Sequence, residues 1–295
     1  MLYAVIDIGS TSVRVMLTNG KLVEKQIETT RLADNMSEGG NLQPQNIERT
    51  AQAVAEYYYY AIGKGADVVF AYATEAVRSA KNRGVFLNRI KELCGVEIEV
   101  LSKKTEATIG FRGAYCDGSC CVIDMGGAST ELTVGDKNGI IYSVSIPYGI
   151  VRLTNIENKG VDLFKFLTEA LKAYGKIPPF EKVIAIGGTA GTMASILNKL
   201  VVYDANVTNG CVITLAQIDE LYAKLKPMLL EERKKVVGLS EKRADIVTSG
   251  LLMYSMLLKK LGAASLSVSE GDNMEGYLIN KGLLEEGFKA VYGAI

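Results

Sequence analysis

Two stretches more than a hundred residues apart carry the same arrangement of potential ligands: "VIDIGSTSVRVMLT" (5–18) and "VIDMGGASTELTVG" (122–135). Each ends an apolar strand on an aspartate, Asp7 or Asp124, turns through glycine and small hydroxyl residues, and then resumes β-branched alternation. A turn of this kind exposes several backbone N–H groups on one concave side, and glycine lets an anion come close to them, so its natural ligand is a phosphate oxygen. A lone carboxylate there would repel phosphate; its presence points to a divalent cation, or that cation's waters, between the two. A third glycine turn, "AIGGTAGT" (185–192), repeats the theme. One such turn alone reads equally well as an ordinary hairpin. Two copies at matching places, with a third beside them, predict a phosphate-gripping cleft.

The turns need strands to hold them. Residues 3–9, 11–18 and 21–30 alternate or run apolar around glycine-containing turns, which predicts an antiparallel meander. Pro44 opens a helix whose Ile47, Ala51, Val54, Tyr58 and Ile62 recur at helical spacing. The spacing then predicts a strand at 67–74, a helix at 75–94 and a strand at 96–102. The order begins again with three strands from Cys120 to Gly149, a helix at 161–174, a strand at 182–190 and a helix at 190–200. A β-β-β-α-β-α order used twice implies two related α/β domains, 1–118 and 119–295, with the boundary near Tyr115 to Ser119. Helices at 214–228, 230–237, 240–262 and 273–283 either pad the second domain or bridge back to the first.

Composition narrows the class. With 295 residues, 48% hydrophobic and 22% charged, the chain describes a folded protein rather than a disordered one. Lys plus Arg equals Asp plus Glu at 33 each, so no global field draws it to nucleic acid or to a membrane surface, and an anionic ligand must be held locally. The apolar runs are too short to cross a bilayer, and the chain opens on a strand rather than a basic segment and apolar signal, which leads us to expect a cytoplasmic protein. Five cysteines (Cys94, Cys116, Cys120, Cys121, Cys211) lack paired metal-ligand spacing and histidine is absent, so they read as buried or tolerated thiols in a reducing compartment.

Motifs in order along nearly the whole chain add a resemblance: "AVIDIGSTSVRVML", "RLADN", "AYATEAVRSAKN", "EVLSKKTEA", "VIDMGGASTEL", "SIPYGIVRLT", "AIGGTAGT", "EKRADIVTSG" and "SVSEGDNMEGYL". Together they resemble the exopolyphosphatase / guanosine pentaphosphate phosphohydrolase family, in its short two-domain form. That family is a branch of the actin-like, ribonuclease-H-like ATPase superfamily. The resemblance implies an α/β fold of two duplicated domains, each a mixed β-sheet flanked by helices, with an interdomain cleft. It implies a Mg2+-dependent phosphoanhydride hydrolase acting on inorganic polyphosphate, with guanosine pentaphosphate as the second candidate and a homodimer as a possible assembly. Glu106 falls where the family has its general base, which the chemistry needs because backbone amides stabilise charge but cannot remove a proton. Asp7, Asp124 and Glu131 fall at acidic positions associated with the metal. Gly9, Ser10, Thr11 and Ser12 match the first phosphate loop, Gly126, Gly127, Ala128, Ser129 and Thr130 the second, and Gly187, Gly188 and Thr189 the third. Arg78 matches an arginine expected near phosphate, where a two-pronged donor is well suited.

Taken singly these residues have plainer readings. Glu106 suits a helix N-terminus, where the dipole favours an acid; Glu131 suits an exposed strand face, and Arg78, near Lys81 and Arg83, an exposed helix face. The chain also departs from the family's pattern, with Ala128 where glycine is common and Asn209 near the place of a histidine. Rival readings are a sugar-type kinase of the same superfamily, against which stands the lack of a sugar-binding insertion, and a non-enzymatic sensor of guanosine tetraphosphate or polyphosphate, against which stand Glu106, Asp124 and Glu131 together.

Overall fold

The computed structural model describes every residue except 37–39, 115–117, 286 and 289. The chain divides into two compact units: Met1–Ile109 with Asn273–Ile295, and Gly110–Asp272. This differs from a cut at 118/119, whose surroundings lie partly outside the described residues. The division falls inside one helix, and the C-terminal segment returns to the first unit.

In the first unit, β1 (Tyr3–Ile8), β2 (Ser12–Thr18), β3 (Leu22–Thr29), β4 (Val68–Ala73) and β5 (Glu99–Val100) form a sheet. The order is Val291–Tyr292, β3, β2, β1, β4, β5, with β2 antiparallel and β4 parallel to β1. Strand β1 is apolar apart from Asp7 because both faces of the sheet are covered. Ala4, Ile6 and Ile8 pack with Val13, Val15 and Leu17 under helices α1 (Pro44–Gly63), α2 (Glu75–Ser79) and α3 (Arg83–Cys94). Val5, Met16 and Tyr72 face the other way, onto Met274, Tyr277 and Leu278. Helix α4 (Lys103–Ala114) follows β5.

The predicted helix 75–94 is two helices. Asn82 donates to the Leu42 carbonyl (3.0 Å) and accepts from the Leu42 amide (2.9 Å), while the Lys81 amide bonds Gly40. Those bonds hold Ala80 extended, at ψ 128°, and break the helix there.

The second unit repeats the plan. Strands β6 (Cys120–Met125), β7 (Thr130–Asp136), β8 (Gly139–Ile146), β9 (Lys182–Ile186), β10 (Val212–Thr214) and β11 (Ser265–Val268) lie in the order β10-β11-β9-β6-β7-β8. Again the first strand pairs antiparallel with the second and parallel with the fourth. The α/β class with two duplicated mixed sheets is therefore as the sequence predicts. Helices α5 (Ile150–Asn158), α6 (Leu163–Ala170), α7 (Gly188–Leu197), α8 (Ala205–Thr208), α9 (Leu215–Leu225), α10 (Leu230–Arg233) and α11 (Val247–Leu261) belong to this unit. The core joins Ile123, Leu132, Val134, Ala185 and Met193 to Leu251, Tyr254 and Leu258 of α11. The predicted helix 240–262 is shortened by a 3-10 turn at Glu241–Arg243, and α5 is a helix that the periodicity did not predict. Helix α12 (Asn273–Asn280) carries Met274, Tyr277 and Leu278 back to the first sheet.

Candidate active site

In the first unit the turn after β1 is closed by one backbone bond, Gly9 N–H to Ser12 O at 3.0 Å. Its carbonyls are used inside the fold: Ser10 O accepts from Ala33 N (3.0 Å), and Thr11 O accepts from Thr30 N (3.0 Å) and Arg31 N (2.7 Å). The "RLADN" segment is thus a brace under the loop, with Arg31 and Asn35 in left-handed backbone at φ 50° and 52°. The Thr11 hydroxyl is buried and has no hydrogen-bond partner among the described residues. Asp7, 4% exposed, lies opposite Arg14 in the β1–β2 register and is bound by that side chain's Nε at 3.1 Å and also by its Nη2.

Beyond β4, Arg78 is held between two carboxylates. Its Nη1 donates to Glu106 Oε2 at 2.7 Å and to the Leu101 carbonyl at 2.7 Å, and its Nη2 pairs with Glu75. Glu75 and Glu106 are 8% and 7% exposed, so neither is the solvated acid that each could be on sequence grounds. Burial alone would favour the neutral guanidine, but the charges of Glu106 and then Glu75 outweigh it and hold Arg78 firmly as a cation. Glu106 stands in the first turn of α4, which Ser102 starts by accepting from the Thr105 amide at 3.1 Å.

The second unit builds its turn in the same way: Gly126 N–H bonds Ser129 O, again at 3.0 Å. Here the N-terminus of α5 takes the carbonyls, Ile150 N to Gly126 O (2.9 Å) and Val151 N to Gly127 O (3.0 Å). Any side chain at Gly149 would overlap Gly126 and Ser129, so only glycine allows α5 to come this close. Ala128 has a negative φ, so the departure from glycine at this position introduces no backbone strain.

Asp124 lies opposite Glu131 in the β6–β7 register, and Glu131 opposite Ser145 in the next ladder. Directly opposed residues share a face of the sheet, so the two carboxylates stand side by side. Ser145 donates to Glu131 Oε1 at 2.6 Å, and Glu131 is 5% exposed rather than on a surface strand. Burial first, and the charge of Glu131 second, push the Tyr174 phenol well above its usual range; its OH donates to Thr130 O at 2.8 Å.

The third turn starts α7, with Gly187 as its first, non-helical residue. A Cβ built on Gly187 would stand 3.5 Å from Asp124 Oδ1, which brings the metal-type carboxylate to the mouth of this helix. At Gly188 a side chain would overlap the guanidinium of Arg243, so an arginine from the 3-10 turn is laid across the third glycine turn. Thr189, also expected in the loop, is 2% exposed. Glu270 accepts hydrogen bonds from Tyr203 and Thr208, and its amide bonds Asn209 Oδ1 at 3.1 Å, so the second departure, Asn209, is used to fix this corner.

The structure thus brings together Glu106 with Arg78, Asp124 with Glu131 and Gly187, and the residues of each loop within itself. Asp7, expected to face the other two acids from the first domain, is bound by Arg14 within the first unit. Among the described residues no group of three His, Cys, Asp or Glu side chains is placed to hold a metal ion. The side-by-side carboxylates of Asp124 and Glu131 nonetheless form a hard oxygen donor pair of the kind Mg2+ takes with water completing its shell. The sequence reading passed over Glu75, whose signal was its i,i+3 spacing to Arg78, and Arg243, which no local pattern links to Gly188. Cys120 and Cys121 are buried and Cys94 and Cys211 half-buried; Cys116 lies outside the described residues. No helix among the described residues is long and apolar enough to cross a membrane.

Comparison with known proteins identifies the family of the chain. The model of the Ppx/GppA phosphatase family matches residues 10–285. Exopolyphosphatase 2 of Mycobacterium tuberculosis is 27% identical over 311 residues, covering 94% of this chain and 97% of its own. The guanosine-5'-triphosphate,3'-diphosphate pyrophosphatase of Pseudoalteromonas atlantica is 26% identical, covering 96% of this chain and 59% of its own. The chain spans 46% of the bifunctional 3-dehydroquinate synthase/phosphatase of Fusobacterium nucleatum, to which it is 27% identical. Among solved structures, the Aquifex aeolicus member of the Ppx/GppA family is 31% identical with a TM-score of 0.78, over 96% of this chain and 98% of that one.

Proposed function

Because the chain belongs to the Ppx/GppA phosphatase family, we propose that it hydrolyses the terminal phosphate from inorganic polyphosphate in the cytoplasm, with Glu106 as the general base. The observation that carries this reading is the pair of identically closed turns, Gly9 N–H to Ser12 O and Gly126 N–H to Ser129 O. With their carbonyls bonded inward, these turns have amides and hydroxyls to offer a phosphate chain, and the orphaned Thr11 hydroxyl is a donor of that kind. The Gly187–Thr189 turn, with Arg243 across it, supplies a third grip.

In the reaction Glu106 takes a proton from a water molecule, and the water oxygen bonds to the terminal phosphorus. The bond from that phosphorus to the bridging oxygen breaks, and the shortened chain leaves with the electron pair. The proton then passes from Glu106 to solvent. Arg78 pairs the base before substrate enters and offers a fixed positive charge to the negative charge that accumulates on the phosphoryl oxygens. Asp124 and Glu131 would hold Mg2+, which when bound neutralises part of the chain's charge and polarises its P–O bonds. With no histidine in the chain, neither a histidine base nor a phosphohistidine enters the chemistry.

A phosphate-release assay on long-chain polyphosphate, guanosine pentaphosphate, and ATP with added sugars tests the reading. Polyphosphate is expected to be cleaved fastest, and E106Q to lower turnover about a hundredfold or more while binding persists. An active E106Q enzyme removes the base assignment. Guanosine pentaphosphate is the second reading, supported by the Pseudoalteromonas relative, and faster release from it than from polyphosphate would install it.

A further inference from the structure

A buried carboxylate costs free energy unless a cation answers it, and one arginine suffices for one glutamate. The cluster in the first unit holds a glutamate more than that. Arg78, with 17% of its side chain exposed, serves Glu106 at 8% and Glu75 at 11%, so one guanidinium is shared between two carboxylates in a largely dry place. Glu75 stands in the first turn of a five-residue helix and is buried there, its carboxylate on the Arg78 cation. Three acceptors then fix the guanidinium plane, Glu75 on Nη2, and Glu106 and the Leu101 carbonyl on Nη1.

We propose that Glu75 is a positioning residue for the hydrolysis: it holds one prong of Arg78, so that the cation is shared between two buried carboxylates instead of neutralising Glu106 alone. This rests on the reading of Glu106 as the base. A carboxylate tied one-to-one to an arginine is a poor proton acceptor, because the charge that stabilises it also lowers its affinity for a proton. Glu75 draws part of that charge away and keeps Glu106 able to deprotonate water. Lys103 and Lys104, on the same helix as Glu106, are exposed, and Arg83 reaches the Arg78 carbonyl at 3.5 Å; all three are present in every variant compared.

The test is the pH dependence of kcat/KM on polyphosphate for the wild type, E75Q, E75D and E106Q. Gln keeps the shape and removes the charge, so Arg78 passes wholly to Glu106 and the base weakens. The rate is lost as pH falls through the proton affinity of the base, so the acid limb of E75Q is expected to move to lower pH by about one unit. The plateau should fall roughly threefold, as Brønsted behaviour requires of a weaker base. E75D, which restores the charge, should return the limb toward the wild type. Titration of the substrate is common to all four and drops out of the comparison. E75N repeats the charge removal at a shorter reach, so a folding defect in one variant does not decide the result. If E106Q is inactive and the limb does not move in E75Q or E75N, the role of Glu75 is wrong and the base reading stands. If E106Q turns over at the wild-type rate, the base reading falls and this inference with it.

Discussion

Replacing Arg78 by Met would remove the cation of the Glu75–Arg78–Glu106 cluster while keeping much of its aliphatic stem. Two carboxylates, 8% and 7% exposed, would lose the cation they share. At an effective permittivity of 20 and 4 Å, each pair with Arg78 is worth about 4 kcal/mol of attraction, offset by the cost of burying the guanidinium. Removing one member of a buried pair costs about 3–5 kcal/mol net. With 17% of the Arg78 side chain in contact with solvent, the lower end applies, about 3 kcal/mol. The lost bond to the Leu101 carbonyl acts in the same direction. At roughly 2–4 °C per kcal/mol for a domain of this size, the unfolding midpoint of the first unit should drop by about 6–12 °C at neutral pH. Scanning calorimetry resolves this, and the double variant R78M/E106Q should recover part of the loss because it removes one of the stranded charges. A midpoint for R78M within about 2 °C of the wild type, or a double variant less stable than R78M, would show that the cluster is not a buried ion network.

Other outcomes follow from the same geometry. D124A and E131A should each raise the Mg2+ concentration needed for half-maximal phosphate release; if both respond to Mg2+ as the wild type does, the metal is held elsewhere. Tyr277 is 4% exposed, stacks 4.9 Å from Tyr72 and donates to Glu99 at 2.7 Å, so Y277A should cost the first unit about 3–5 kcal/mol and Y277F about 1 kcal/mol by denaturant unfolding. Equal effects of the two would mean that α12 contributes only its hydrogen bond.

What the sequence made legible is what is decided locally. The meander strands and their repeat could be read because β1 and β6 are buried on both faces and are apolar apart from Asp7 and Asp124, and because a turn that exposes amides needs small residues at fixed places. The two aspartates could be found but not their partners. Asp7 meets Arg14 through the β1–β2 register, which was within reach of the pattern, since a seven-residue separation across a tight turn brings them opposite each other. Helix 75–94 could not be divided from its own residues, because the break at Ala80 is made by Asn82 bonding Leu42, forty positions away. Arg243 reaches Gly188 only through the packing of α11 and α7, to which neither segment's periodicity points. The same limit explains why Glu106 read equally as a solvated cap: its partner is Arg78, 28 positions away, and not a residue of the "KKTEA" segment. The chemistry therefore depends on long-range pairings that convert ordinary surface-type residues into buried charges. Such charges give up stability, and the proposed reaction gives them a use. If the Glu75–Arg78–Glu106 group served folding alone, an apolar triple replacement of similar volume would be at least as stable and would leave turnover untouched; retained turnover in that variant would refute the catalytic reading, and a stable, inactive protein would support it.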